Sequence, residues 1–505
     1  KAGLRMTMTN NSALLSTEGI LILCAYILTL IGIGWLGKKA QKEQSLSDFY
    51  LAGRGMSFFV LFLTLYATQY SGNTLVGFAG RAYREGYQAL VLITFLSAAV
   101  GAIAIYAPKL YKLSKKHGFI TPSDYIEHRF KYKNLTYLSA ALCLVALANY
   151  ILTNLKAIGF IVVAVTGGAI PFVYGVVALS LVMVIYETLG GMRSVAWTDA
   201  IQGTILIVGV ITIFISINFE YGGLPFIYDQ IKILEPAKLS PPTIFQKLSW
   251  FSTVCLGFFG ISLYPHAVQR IYSSNKMSTL KRSLQVMAFM PLITVLFMII
   301  VGLTALALAP DLDRQTSEGA TLLVLQSLAS RGAVGMGMMV LFLSATIAAI
   351  MSTVDSALLS MSSIITKDFY TRLRPNKTQA ELTKTGKRIS WAIMAVSVYL
   401  AIVLPQTIWR LLEIKLELLI QISPAVFIGL YNNKVKGRSI FYGMAAGTLF
   451  SLIVMIANKQ GLPIPAKPLG IHAGVWGLLI NGAVVCFSER KKSENNKFIH
   501  ASNLS

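Results

Sequence analysis

Long apolar stretches separated by short polar loops run through the whole chain. A helix needs about 20 apolar residues to cross a membrane, and thirteen stretches meet that requirement. They lie near residues 18–37, 57–79, 88–110, 135–165, 170–188, 195–218, 248–271, 284–309, 333–364, 388–405, 410–431, 438–458 and 473–488. The pattern therefore predicts an all-α integral membrane protein with about 13 transmembrane helices.

A polar run interrupts the second stretch at the expected mid-depth of the bilayer. Residues 67–74 read ATQYSGNT between two apolar halves. Backbone that leaves the helix in hydrocarbon exposes amide and carbonyl groups, which is costly unless protein or a bound polar species satisfies them. Secondary transporters hold ions and substrates at such broken helices. The same polar residues also suit packing against neighbouring helices.

The seventh stretch repeats this character five spans later. It contains LGFFG at 256–260 and YPH at 264–266, and glycines and a proline predict lost helical hydrogen bonds. Two interrupted helices at corresponding positions indicate two inverted five-helix repeats with a site at their crossing. The expected divisions are an outer tail, a flanking helix, the first repeat, an outer loop, the second repeat, and two flanking helices with a cytoplasmic tail: 1–17, 18–56, 57–218, 219–247, 248–432 and 433–505.

Composition and charge agree with a membrane protein. The 505 residues are 55% hydrophobic and 13% charged, and the mean hydropathy is +0.64. The net charge of +23 does not indicate a nucleic-acid partner, because the basic residues lie in short loops between apolar runs. Their alternation predicts an N-terminus outside and a C-terminus in the cytoplasm. The expected location is the plasma membrane, in a bacterium the inner membrane.

The ninth stretch offers the richest candidate chemistry. Ala349, Ser352, Thr353 and Ser356 fall on one helical face. Hydroxyl and carbonyl oxygens suit a monovalent cation that must also be released, although small residues equally suit helix packing. Asp355 lies beside this face, and an intramembrane carboxylate is usually functional.

Other charged residues also fall inside predicted spans. Asp199 either caps the start of the sixth helix or shares a cation or proton site with Asp355. Four more have unknown roles: Lys156, Glu413, Lys415 and Glu417. Lys156 is expected to pair with a protein carboxylate, the alternative being an anionic substrate. Nucleotide-binding, serine-hydrolase and zinc-protease motifs do not occur, so an enzyme is not expected.

In several motifs the chain resembles the sodium/solute symporter family over nearly its whole length. These motifs, in order, are FYLAGRG at 49–55, residues 67–77, TPSDY at 121–125, LGG at 189–191 with WTD at 197–199, and MST at 351–353 running to KDFY at 367–370. The resemblance implies a leucine-transporter-type fold with Na+ as the coupling ion. It also implies import of a small organic solute across the lipid bilayer by alternating access.

The resemblance further implies two ion sites. The main sodium site would use the carbonyl groups of Ala67, Tyr70 and Ala349 and the hydroxyl groups of Ser352 and Thr353. A second site found in some members would use Asp199, Ser352, Asp355 and Ser356. Those members have a hydroxyl where this chain has Asp355. The second site therefore holds sodium, holds a proton, or is only a structural pair of acids. Of these, we favour a second sodium ion.

Solute contacts are implied on both interrupted helices, at Gln69, Ser71, Asn73, Thr74, Tyr264 and His266. Sodium/proline transporters have an aspartate at the position of Gln69, which disfavours proline. The motifs are more similar to those of the monocarboxylate and pantothenate transporters than to those of the sugar transporters. The alternatives are a proton-coupled permease of an amino acid or sugar and, ranked lower, a transporter-like sensor. The oligomeric state is left open.

Overall fold

The computed structural model of the chain describes residues 17–314, 316–330, 332–404 and 415–502, apart from the side chains of residues 17, 18, 73, 333 and 491–502. This part of the chain is almost entirely helical. The helices that we use below are α1 (Thr17–Lys39), α2 (Leu46–Leu51), α3 (Phe58–Gln69), α4 (Gly72–Leu75), α5 (Gly77–Glu85), α6 (Val91–His117), α7 (Pro122–Phe130), α8 (Lys133–Val165), α9 (Phe172–Gly190), α10 (Met192–Tyr221), α11 (Gly223–Leu234), α12 (Ile244–Phe259), α13 (Pro265–Ser273), α14 (Met277–Leu308), α15 (Ala320–Ala329), α16 (Ala333–Ile364), α17 (Gln379–Val403), α18 (Ser423–Tyr431), α19 (Gly437–Lys459) and α20 (Ala473–Ser502).

The predicted all-α membrane architecture is confirmed, but the count of thirteen spans is not. Ten helical stretches of the described residues are long and apolar enough to cross a membrane. The predicted span 57–79 is not among them, because it is divided into α3, α4 and α5. The first part of the predicted span 410–431, including Glu413, lies outside the described residues. The predicted span 473–488 falls within α20, which is not among the ten.

Both predicted interruptions are present. Between α3 and α4 the helical backbone is lost at Tyr70 and Ser71. In the second interrupted helix, α12 ends at Phe259 and a short 3-10 turn, Ile261–Leu263, leads to α13. Pro265 occupies the first position of α13, where its missing N–H costs no helical hydrogen bond.

The interrupted helices lie among the long helices at the centre of the molecule. Helix α10 packs against α3 and α16, α14 packs against α3 and α5, and α12 packs against α6. Glycine allows one of these close approaches: a Cβ on Gly302 of α14 would lie 2.1 Å from the carbonyl oxygen of Ala79 in α5. The polar middle of each interrupted helix is thereby enclosed by protein.

Short helices occur in several of the loops. Helix α7 begins at Pro122, and Asp124 in its first turn accepts hydrogen bonds from the Ile120 and Thr121 amides at 2.7 and 3.1 Å. Helix α11 lies in the predicted outer loop 219–247, and α15 lies in the loop that follows α14.

Candidate ion and substrate site

The break in the first interrupted helix leaves carbonyl groups inside the protein. The last helical hydrogen bond of α3 runs from the Tyr70 amide to the Tyr66 carbonyl at 3.1 Å. A helix end leaves its last four carbonyl groups without helical partners, here those of residues 67–70. The Thr68 carbonyl accepts a hydrogen bond from the Tyr150 hydroxyl at 3.3 Å. Since Ala67 is fully buried, its carbonyl needs a partner other than bulk water.

Helix α16 packs directly against this break. A Cβ on Gly72 would lie 2.2 Å from Cγ1 of Ile350, so a side chain at that position would collide with α16. The Thr353 hydroxyl donates a hydrogen bond to the Ala349 carbonyl at 2.8 Å, which brings two of the expected sodium ligands together. The fold thus places the predicted α16 ligands beside the end of α3, which carries Ala67 and Tyr70.

Asp199 lies at the centre of a buried hydrogen-bond network that joins four helices. Its Oδ1 accepts a hydrogen bond from the Ser352 hydroxyl at 2.6 Å. Its Oδ2 accepts one from the Thr64 hydroxyl and one from Arg270 Nη2, the latter at 2.9 Å. The side chains of Asp199 and Arg270 are both fully buried. The expected second ion site therefore already contains a protein cation.

Sequence reasoning missed Arg270. Its Nε donates to the Thr64 hydroxyl at 2.8 Å, its Nη1 to the His266 carbonyl at 3.1 Å, and its Nη2 to the Ser356 hydroxyl at 2.5 Å. The arginine thus ties α13 to α3 and α16. A signal for it existed, because Arg270 falls inside the predicted span 248–271 and an intramembrane charge is usually functional and paired.

Asp355 lies at the other end of the same network. The Tyr186 hydroxyl donates a hydrogen bond to its Oδ2, and the Ser356 hydroxyl lies 3.4 Å from its Oδ1. Arg270 pairs with Asp199 rather than with Asp355. The two acids therefore meet through Arg270 and Ser356, as members of one buried chain of contacts.

Three aromatic rings form a stack beside the break. The Tyr150 and Tyr264 ring centroids are 5.2 Å apart, those of Tyr264 and His266 5.0 Å, and those of Tyr150 and His266 5.6 Å. The Tyr150 hydroxyl also lies near the Ser71 hydroxyl. Two of the predicted solute residues on the second interrupted helix therefore meet one on the first, around a tyrosine that the sequence did not single out.

Three buried polar atoms, two of them at this stack and one at the end of α3, have no hydrogen-bond partner among the described residues. They are Gln69 Nε2, His266 Nδ1 and Lys415 Nζ, all of them buried atoms. Buried polar atoms are normally satisfied, so these atoms point to an absent partner. Thr74 is also buried, and the Asn73 side chain lies outside the described residues.

Two other intramembrane charges have protein contacts. Lys156 donates a hydrogen bond to the Leu404 carbonyl. Glu417 lies 3.4 Å from Nδ1 of His472, with both side chains nearly buried. These contacts place Lys156 beside the end of α17 and Glu417 beside the start of α20.

The chain is similar to known transporters over nearly its whole length. The model of the sodium:solute symporter family matches residues 49–447. The sodium/pantothenate symporter of Escherichia coli is 27% identical over 92% of this chain and 94% of its own length. The sodium/proline symporter of Staphylococcus aureus is 26% identical over 95% and 94%. A solved Na+-coupled sialic acid symporter, in a substrate-bound outward-open state, superposes with a TM-score of 0.77 at 20% identity, covering 94% of this chain and 98% of that one, which shows a shared fold.

Proposed function

The chain belongs to the sodium:solute symporter family, and from that premise we propose where this sodium-coupled transporter binds its ions and solute. Its function is symport of a small solute with Na+, not enzyme catalysis. The proposed main sodium site consists of five oxygen atoms, which are the carbonyl oxygens of Ala67, Tyr70 and Ala349 and the hydroxyl oxygens of Ser352 and Thr353.

One observation carries this proposal, namely the contact between the break in α3 and helix α16. The packing of Ile350 on Gly72 holds these two segments together. Carbonyl groups of unwound helix are typical sodium ligands in transporters, and the Ala67 carbonyl lacks a helical partner. A sodium ion here would join helices from the two proposed repeats, 57–218 and 248–432. It would therefore favour the conformation in which those helices are in contact.

The solute is proposed to bind between the two interrupted helices. Its contacts would be Gln69, Ser71, Asn73, Thr74, Tyr264 and His266, with Tyr150 added by the structure. The orphan donors at Gln69 and His266 support this placement. The relative that transports pantothenate favours a small organic acid. Proline is disfavoured, because Gln69 replaces the aspartate that the proline transporters carry.

At the second site we favour a proton over a second sodium ion. Asp199 is already neutralised by Arg270, whose guanidinium also contacts Ser356. A sodium ion between the acids would have to displace that guanidinium. Asp355 accepts a hydrogen bond from the Tyr186 hydroxyl and has no comparable cation within the part of the chain that the structure describes. A protonated Asp355 would fit this setting, since a buried carboxyl group without a cation is cheaper in its neutral form.

The proposed orientation places the N-terminus outside and the C-terminus in the cytoplasm of the plasma membrane. The basic loops support it through the positive-inside rule. The proposed divisions 1–17, 18–56, 57–218, 219–247, 248–432 and 433–505 follow from the same topology.

Uptake into proteoliposomes tests the main sodium site. Pantothenate and proline are the labelled solutes, and uptake is measured against sodium concentration. The variant S352A/T353A should raise the half-saturating sodium concentration at least about tenfold, because a desolvated cation loses two oxygen ligands. The matched control is S344A/T346A on the same helix, whose hydroxyl groups bond to carbonyl groups of their own helix at 2.7 and 2.9 Å. An unchanged sodium dependence in S352A/T353A contradicts the assignment.

A further inference from the structure

Lys415 is a fully buried lysine beside the second break. The backbone at the following residue, Leu416, reaches that break, because a Cβ on Gly260 would lie 3.4 Å from the Leu416 carbonyl oxygen. The side chain reaches the aromatic stack, with Nζ 3.6 Å from the Tyr150 ring centroid and 5.6 Å from the Tyr264 ring centroid. Lys415 therefore lies between the second interrupted helix and Tyr150, whose hydroxyl contacts the Thr68 carbonyl of α3.

The protein satisfies this ammonium group only in part. A cation over an aromatic face is stabilised, but the three N–H donors of Lys415 find no hydrogen-bond acceptor among the described residues. Removing an ammonium group from water is expensive unless an opposite charge and hydrogen bonds replace the water. The aromatic contact replaces neither.

Other buried charges in the described part of the chain do have protein acceptors. Arg270 donates to Asp199, and Lys156 donates to the Leu404 carbonyl. Lys415 differs from both, although it is at least as deeply buried. An unpartnered ammonium group in a solute site indicates that its acceptor arrives with the solute.

Two other buried atoms of the proposed solute site that lack a hydrogen-bond partner indicate the chemistry of that acceptor. Gln69 Nε2 is a donor, and His266 Nδ1 is able to donate in one tautomer. Together with Lys415 they give the proposed solute site three donors. An ionised carboxylate accepts hydrogen bonds at both oxygen atoms and donates none, so it complements this set, whereas a sugar hydroxyl would also need acceptors.

We propose that Lys415 binds the carboxylate of the transported solute and thereby makes this symporter selective for small organic anions. The stacked Tyr150 and Tyr264 rings would pack against the apolar part of the solute next to its carboxylate. This inference rests on the proposed solute site. Lys415 is a specificity-determining residue for that site, because removing its charge should abolish the preference for the acid over its neutral analogue.

The test compares acids with matched neutral analogues on the purified full chain. The probes are pantothenate against panthenol, in which an alcohol replaces the carboxylate, and lactate against lactamide. The melting temperature is measured against probe concentration, with and without sodium. The variants are Lys415→Met and Lys415→Arg, and the matched control is Lys156→Met, which removes a different buried lysine.

In sodium, at least one acid should stabilise the wild-type protein more than its neutral analogue. Lys415→Met should weaken the apparent affinity for that acid about ten- to a hundredfold, the range expected for a charged hydrogen bond, while Lys415→Arg retains part of it and Lys156→Met all of it. The inference is overturned if no acid in the panel is preferred over its analogue. It is equally overturned if Lys415→Met keeps the preference.

A second readout separates a binding role from a structural one. Without solute, Lys415→Met should melt at a higher temperature than the wild type, because it removes a buried charge that the protein does not pair. A lower melting temperature would indicate a structural lysine and contradict the inference. Sodium alone should stabilise the wild type; failure of that response counts against the proposed function, whereas a sodium response without an acid response counts against Lys415 only.

Discussion

Replacing Asp199 by asparagine tests the buried ion pair on which the second site depends. The substitution keeps the shape of the side chain and removes its charge, so Arg270 keeps its hydrogen bonds to Thr64, Ser356 and the His266 carbonyl. What it loses is the carboxylate 2.9 Å from Nη2. At an effective dielectric constant of about 20, two unit charges at that distance attract by about 6 kcal/mol.

The measured loss should be smaller than the attraction, because the desolvation of both charges opposes it. Breaking a buried pair by removing one partner typically costs about 3–5 kcal/mol, and we expect Asp199→Asn to lose a free energy of unfolding in that range. The assay is equilibrium unfolding in mixed detergent micelles. The control is Glu381→Gln, which breaks the exposed pair with Lys377 and should cost less than about 1 kcal/mol.

A double-mutant cycle decides whether the loss comes from the pair. Arg270→Gln removes the cation, and the double variant should be more stable than the sum of the single losses predicts, by about 0.5–3 kcal/mol. Additive losses, or an Asp199→Asn protein as stable as the wild type, would refute the view that Arg270 neutralises Asp199.

Two further substitutions probe the break and the second acid. Gly72→Val should destabilise the protein by about 1–3 kcal/mol through overpacking, because its Cβ would lie 2.2 Å from the Ile350 side chain. The control Gly101→Ala has open space at its Cβ and should not be destabilised. Equal melting temperatures for the two variants would argue against a tight contact at the break. If Asp355 holds a proton, solute uptake should depend hyperbolically on sodium and should respond to an imposed pH gradient, and Asp355→Asn should lose only the pH response. A sodium Hill coefficient that is above one in the wild type and falls toward one in Asp355→Asn would indicate a second sodium ion instead.

Local signals explain what the sequence could predict. The polar run 67–74 and the proline at 265 each break helical hydrogen bonding within a few residues, so both interruptions were visible without tertiary information. The same holds for α7, whose cap is formed by neighbouring residues. The fold class and the use of Na+ followed from motifs spread along the chain.

The features that the sequence did not predict depend on contacts between distant parts of the chain. Arg270 and Asp199 are 71 residues apart, and nothing local identifies either as the partner of the other. Tyr150 looks like one more apolar residue of a long helix until its ring stacks on Tyr264. The span count was not confirmed because the predicted span 57–79 is divided into α3, α4 and α5, and because neither 410–431 nor 473–488 is among the ten long apolar helices of the described residues.

Equilibrium binding of radioactive sodium to the purified protein is the most direct test of the main sodium site, because it requires no knowledge of the solute. The wild type should bind sodium saturably, and the control S344A/T346A should bind it with the same affinity. The variant S352A/T353A should lose most of that binding in the measurable concentration range, because two of the five proposed ligands are gone. Equal sodium affinity in S352A/T353A and the wild type would contradict the assignment of the site to the contact between α3 and α16.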